Sequence, residues 1–247
     1  MQAATLDPVL ILGATSGMAR AVAGLLARRG HPLRLAARDA VEVRALAADL
    51  AIRHQVEVLA YVYDAASPEA EAQLRLAAEG TLAGVLVAFG VLDDQREAER
   101  SRERAAQLLH VNFTACALAC ETVAEALQAQ GHGWLCVIGS VAGDRGRQSN
   151  YLYGAAKGGL AVYTQGLRHR LKAFGVAVIT IKPGFVDTAM TWGKPGMFLV
   201  ATPEQAAEGI VRAIDARRAV AYVPGFWRLV MALIRGIPGP LFERSKL

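Results

Sequence analysis

Tyr153 and Lys157 stand four residues apart within GSVAGDRGRQSNYLYGAAKGG, residues 139 to 159. On a helix that spacing puts both side chains on one face, one turn apart. An ammonium beside a phenol oxygen favours the phenolate, which makes the tyrosine a useful proton donor near neutral pH. Ser140, thirteen residues before the tyrosine, ends the apolar run Trp134-Leu135-Cys136-Val137-Ile138. Such a run reads as a strand buried in a parallel sheet. Its carboxyl end, where the serine would stand, is where open α/β sheets bind ligands. A Tyr–Lys pair alone is a weak signal. Its weight comes from coinciding with a serine at a strand end, a Gly-rich helix and a separate dinucleotide loop.

That loop follows the first apolar run, Val9 to Leu12. Gly13-Ala14-Thr15-Ser16-Gly17-Met18-Ala19 then turns into a helix ending near Arg29. Gly13 allows a tight turn, Gly17 lets backbone approach a pyrophosphate, and the helix N-terminus offers free N–H groups. A second strand, Leu33 to Ala37, ends in Arg38-Asp39. An acid at this point would hold a ribose 2′-hydroxyl and an arginine a 2′-phosphate. Ala37 occupies the expected acidic position, so Arg38 favours NADP(H), with NAD(H) the alternative through Asp39. A helix from Ala40 to His54 leads to a third strand, Val56 to Tyr63, closed by Asp64, which either contacts an adenine amino group or caps the next helix, around 69–79. A fourth strand runs from Gly84 to Gly90, where the glycine leaves room for a cofactor ribose.

Asp93 to Arg104 alternates charges and reads as a solvated face. The next helix carries Asn112 in an apolar stretch, where a polar group needs partners. It either holds a helix distortion and a water near Lys157 or is a satisfied core residue. A sixth strand, Val176 to Ile181, leads into Pro183-Gly184-Phe185-Val186-Asp187-Thr188, a turn that aims backbone groups of Val186 and the Thr188 hydroxyl over the sheet edge, towards a nicotinamide amide. Alternating strands and helices predict an α/β, Rossmann-type doubly wound parallel sheet. Residues 1–224 would form the dinucleotide-binding catalytic domain, and 225–247 an amphipathic extension of it.

The 247 residues suit one such sheet, and 53% hydrophobic with 20% charged residues argues against disorder. A net charge of +5 suits an anionic cofactor, an anionic substrate or an acidic membrane surface. The arginines are spread out and no nucleic-acid motif is present, so nucleic acid is not an expected partner. Cys116, Cys120 and Cys136 lie in apolar segments, as reduced core thiols of a cytoplasmic protein would, and no metal site is expected. The N-terminus lacks the features of a secretion signal, and no apolar run reaches the length of a membrane span.

Together the glycine turn at Gly13 to Ala19, Asp64, Asn112, Ser140, Tyr153, Lys157 and the Pro-Gly turn at Pro183 resemble the short-chain dehydrogenase/reductase family over nearly the whole chain. The resemblance implies that Tyr153 donates a proton to a carbonyl oriented by Ser140. It further implies that Lys157 binds the nicotinamide ribose and assists Tyr153, and that Asn112 supports a water-linked proton relay. Leu12 and Val87-Ala88-Phe89-Gly90 depart from the family's usual residues. Ala88 to Leu92, Ser140 to Arg145 and the ending from Phe226 look like the decaprenylphosphoryl-2-keto-ribose reductases, which implies a lipid-linked sugar as substrate. The same fold could instead serve as a non-catalytic dinucleotide sensor or reduce an unrelated soluble ketone.

Two surfaces carry expectations about partners. Leu160, Val162, Leu167 and Leu171 would pair helices in a homo-oligomer. Phe226, Leu229, Val230, Leu233, Ile234 and Ile237 recur at helical spacing, with Arg228 and Arg235 on another face. This stripe would lie in the interface at the inner face of a membrane, or pack on the domain or a partner subunit.

Overall fold

Apolar runs of four to seven residues build one parallel sheet. The computed structural model describes residues 6–193 and 197–245. Residues 1–5, 194–196 within the loop from Ala189 to Val200, and 246–247 lie outside the described residues. In chain order the strands are β1 (Val9–Leu12), β2 (Leu33–Ala37), β3 (Val58–Val62), β4 (Gly84–Val87), β5 (Trp134–Ile138), β6 (Ala177–Pro183) and β7 (Val220–Val223). They are arranged β3-β2-β1-β4-β5-β6-β7, every neighbouring pair parallel. The order reverses between β1 and β4, which opens the ligand-binding crevice of a doubly wound sheet at their carboxyl ends. β7 was not foreseen, because its four residues follow closely on Arg217-Arg218 and form too short an apolar run to stand out.

Ten helices are described: α1 (Gly17–Arg28), α2 (Ala40–His54), α3 (Ala70–Ala77), α4 (Gln95–Arg100), α5 (Arg102–Leu109), α6 (Ala115–Gln130), α7 (Tyr151–Lys172), α8 (Pro203–Asp215), α9 (Trp227–Gly236) and α10 (Gly239–Glu243). Strand side chains alternate between faces. Val9 and Ile11 join the core under α1, α2 and α8, whereas Leu10 and Leu12 join the core under α3, α6 and α7. The charge-rich segment becomes α4 and α5, capped by Asp94 and Ser101. Its exposure is as expected except that Gln95 and Ala98 are buried. Leu160, Leu167 and Leu171 are buried against the subunit's own sheet, and of the four residues expected to pair helices between subunits only Val162 is exposed.

The site is positioned by backbone meeting backbone. After β5 the chain makes a 3-10 turn, Val141–Asp144, that lies directly on α7. A Cβ at Gly143 would sit 2.6 Å from the Gly158 amide nitrogen, and one at Gly154 would sit 2.9 Å from the Ala142 carbonyl oxygen. Neither contact leaves room for a side chain. The turn continues into Asp144 and Arg145, which fasten the C-terminus. Arg145 Nη1 donates to the carbonyls of Ile234, Arg235 and Ile237 at 2.6, 3.1 and 2.6 Å. These carbonyls lie at the end of α9, where a cation is favoured. Its guanidinium also stacks 3.8 Å over the Phe242 ring. Buried Trp227 and Met231 pack with Val141, Phe185, Val230 and Ile234. The apolar stripe therefore divides: Val230 and Ile234 face the domain, while Leu229 and Leu233 are 71% and 75% exposed.

These contacts set two expectations for thermal or denaturant unfolding. Gly143→Ala forces a methyl into the α7 backbone and should cost about 1–3 kcal/mol. Gly166→Ala, on the open side of the same helix with nothing within 4 Å, should instead stabilise by about 0.5–1 kcal/mol. Arg145→Ala should cost about 2 kcal/mol and raise hydrogen exchange in residues 227–243 more than in α1. Uniform exchange across the two regions would show that Arg145 does not hold the C-terminal helices.

Candidate active site

Ser140 stands at the end of β5 in an extended conformation, and its Oγ accepts from the Ala142 amide at 3.0 Å. The hydroxyl thus caps the turn that rests on α7. Tyr153 is half-buried in the first turns of α7, and Lys157 follows one turn later, almost fully buried. Lys157 Nζ donates to the Ile138 carbonyl at 3.1 Å and lies 5.9 Å from the Tyr153 ring centroid. A buried ammonium needs acceptors, and a carbonyl at the end of β5 supplies one.

Asn112 forms the centre of a π-helical turn, His110–Thr114, between α5 and α6. Its Oδ1 accepts from Val91 N at 3.1 Å, and its Nδ2 donates to the carbonyls of Val91 and Leu108 at 2.8 and 2.9 Å. The residue thus combines a helix distortion with a satisfied core amide. Gly90 is also required by the protein's own packing. A Cβ there would lie 2.7 Å from Asn112 Oδ1 and 3.5 Å from Lys157 Nζ, so the glycine admits these side chains to the end of β4.

The glycine turn after β1 has the features a dinucleotide phosphate requires. Gly13 has φ +75°, and a Cβ there would strike the Phe89 backbone at 2.7 Å. Ser16, the residue before α1, makes no side-chain cap, and its buried Oγ has no partner. The first turn of α1 contains no acidic residue, which leaves its positive end for an anion. Thr15 and Met18 are half-buried beside it. Gly17 faces Thr188 rather than open space, since a Cβ would lie 3.2 Å from the Thr188 methyl.

Asp39 Oδ1 accepts from Val41 N and Glu42 N, both at 2.9 Å, and so caps α2. Arg38 beside it is exposed at the end of β2. Asp64 does not cap α3, whose N-cap is Glu69. Its Oδ1 instead accepts from Ala66 N at 3.0 Å and shapes the loop after β3. Beyond buried Pro183, the Val186 side chain is also buried, and its bridge to Ala201 uses the amides of Asp187 and Ala201. The Thr188 hydroxyl faces Thr191 Oγ1 at 3.4 Å.

Several neighbours escaped the sequence reading. Asp144, 2% exposed, pairs with Lys182 of β6 and accepts from the Tyr222 hydroxyl of β7 at 2.7 Å. Burial, reinforced by that bond, pushes the Tyr222 phenol up to about 12, so it remains a donor. Gln95 of α4 accepts from Leu152 N at 3.1 Å. The only available signal for Gln95 was an uncharged amide inside a run of charges.

Comparison with known proteins agrees with this geometry. The chain is 37% identical over 241 residues to an uncharacterized oxidoreductase of Streptomyces coelicolor, covering 96% of this chain and 94% of that one. It is 34% identical over 243 residues to an uncharacterized oxidoreductase of Mycobacterium tuberculosis, covering 96% of both. The structure is similar to a short-chain dehydrogenase from Sphingobium yanoikuyae solved in complex with NADPH, with TM-score 0.81, 28% identity, and 95% and 97% of the two chains covered. Residues 7–196 match the short chain dehydrogenase family, so the chain belongs to that family and is an NAD(P)-dependent oxidoreductase acting on CH–OH and C=O groups.

Proposed function

We propose that the protein is an NADPH-preferring ketoreductase in which Tyr153 is the general acid. Ser140 orients the substrate carbonyl, Lys157 holds the nicotinamide ribose and assists Tyr153 electrostatically, and Asn112 shapes the end of β4 so that a proton relay can reach Lys157. The observation that carries this reading is the Gly143–Gly158 backbone contact, which binds the turn after Ser140 to the helix bearing Tyr153 and Lys157. When bound, the reduced nicotinamide supplies the hydride. Gly13, Thr15, Ser16, Gly17 and Met18 would hold its phosphates, Asp64 and Gly90 would flank the adenosine and ribose, and Pro183, Val186 and Thr188 would face the nicotinamide amide. Arg38 would hold a 2′-phosphate, a reading supported by the capping role of Asp39 and by the NADPH in the Sphingobium structure.

For the substrate we favour a polyprenyl-phosphoryl 2-keto sugar, on the three resembling segments and on the surface beside the site. Phe198 packs on Trp227 with ring centroids 5.4 Å apart, and Phe226 does so at 5.9 Å. With Leu229 and Leu233 they form an exposed apolar strip flanked by Arg228 and Arg235. No helix of the described residues is long and apolar enough to cross a membrane. The strip would instead rest on an anionic lipid surface, at the inner face of the membrane of a cytoplasmic enzyme. Residues 225–247 would then be an extension that completes the catalytic domain. The oligomer reading moves to the outer strip of Phe113, Leu118 and Val162, all exposed.

Tyr153→Phe should lower ketone turnover at least about 10²-fold with little change in cofactor affinity. Retention of more than about a tenth of wild-type turnover in a chemistry-limited assay would remove Tyr153 from its role. Arg38→Ala should narrow the NADPH-over-NADH preference by about 1–3 kcal/mol, measured as the two dissociation constants. Leu229→Asp with Leu233→Asp should abolish co-sedimentation with anionic vesicles while leaving turnover of a soluble ketose intact. Equal vesicle binding by wild type and the double variant would leave the lipid reading without support.

A further inference from the structure

At the start of α7, and on α4 packed against it, lie polar atoms that neither the fold nor the proposed chemistry uses. Gln95 is 8% exposed. Its Oε1 accepts from Leu152 N, and only an oxygen can take that bond, so the orientation of the amide is fixed. Its Nε2 is buried with no partner among the described residues. Asn150, directly before α7, makes no side-chain cap, and its Oδ1 is likewise buried and unpartnered. The Asn150 amide donates to the Arg147 carbonyl at 3.1 Å, and the Asn150 carbonyl accepts from Gly154 N at 2.8 Å, which holds Arg147 and Asn150 at the start of α7.

Arg147 is half-buried, its Nε has no partner, and no ion pair engages it among the described residues. Burial lowers its pKa and Asp144 opposes this. The Asp144 carboxylate is itself taken by Lys182 and Tyr222. The first turn of α7 carries no acidic residue, so its positive end adds to the guanidinium field. On α4, Glu99 accepts from the Tyr151 hydroxyl on the exposed side.

Buried polar groups in folded proteins are satisfied or have a use. A donor on the amide that takes Leu152 N, and an acceptor two residues before Leu152, match a hydroxyl group, which can accept from one and donate to the other. An unpaired guanidinium near a helix N-terminus matches a phosphate. We propose that Gln95, Asn150 and Arg147 form a substrate subsite beside Tyr153 that holds the hydroxyl and phosphate groups of a phosphorylated sugar. The inference rests on the ketoreductase reading for its placement but not for its test. Gln95 and Asn150 read the sugar hydroxyls, and Arg147 reads the phosphate, whether free or esterified to a lipid.

Binding is measured by calorimetry on the full chain with NADP⁺ present, using ribose, ribose 5-phosphate, a short-chain prenyl-phosphoryl ribose and cyclopentanol. Gln95→Glu keeps the acceptor for Leu152 N and places an acid at a helix N-terminus, where it is tolerated, but it removes the donor. It should weaken ribose and both phosphates about tenfold or more and leave cyclopentanol unchanged. Asn150→Leu should do the same, with Asn150→Asp restoring ribose binding. Arg147→Gln should weaken only the two phosphates. Tighter binding of the prenyl ester than of ribose 5-phosphate assigns the site to lipid-linked sugar, and the reverse to a soluble one. If the wild type binds ribose 5-phosphate no better than cyclopentanol, or Gln95→Glu and Arg147→Gln shift all four probes alike, the subsite is wrong. That result would stand even if ketones are reduced, and selective binding would stand even if none is.

Discussion

The spacing of the polar groups is set where the turn after β5 meets α7 with no side chain between them. Side-chain packing can relax by rotamer changes, but two backbones in van der Waals contact have no such freedom. With Gly143 against Gly158 and Gly154 against Ala142, the distance between the strand end and the helix cannot drift. Ser140 therefore reaches its position through the backbone, and its hydroxyl bond to Ala142 N secures the turn from within. Lys157 closes the arrangement from the helix side by bonding to the Ile138 carbonyl of the same strand.

The same turn is fastened to the C-terminal helices through the residues that end it and follow it. Asp144 joins β6 and β7 through Lys182 and Tyr222, and Arg145 takes three carbonyls at the end of α9. Asp144 is almost fully buried, and a buried ion pair contributes less net stability than its Coulomb energy suggests, because both charges lose water. What the pair provides here is register. Removing either charge would leave the other uncompensated beside the turn that meets α7.

The fold was legible because the parallel strands are short apolar runs and each helix between them has its own polar face. Ser140, Tyr153 and Lys157 stood out because side-chain chemistry and spacing agree. Other features depend on contacts between distant segments, which spacing along the chain does not encode. Gly90 was read as room for a ribose, and spacing gave no sign that the same glycine also admits Asn112, twenty-two residues on. Leu160, Leu167 and Leu171 look like an interface on a helical wheel, yet the sheet of the same subunit covers them. β7 is four residues long and gained its identity only by pairing with β6. Gln95 was hidden among charges because the feature that matters, its bond to Leu152 N, joins residues fifty-seven positions apart.

The division of the C-terminal stripe bears on how a large substrate could be used. Trp227 and Met231 turn inwards and fix α9 to the catalytic turn, so the outward Leu229 and Leu233 are held at a constant distance from Tyr153. Contacts remote from the reacting group accelerate a reaction only when they are spent on orienting it. An apolar tail resting on a flexible segment would add affinity, at about 0.8 kcal/mol per buried methylene, without placing the carbonyl. A tail resting on a helix locked to the Ser140 turn by Arg145 and Trp227 would do both. On the proposed reading, the arginine clamp would convert an apolar surface that otherwise only concentrates a substrate into one that directs it towards the tyrosine.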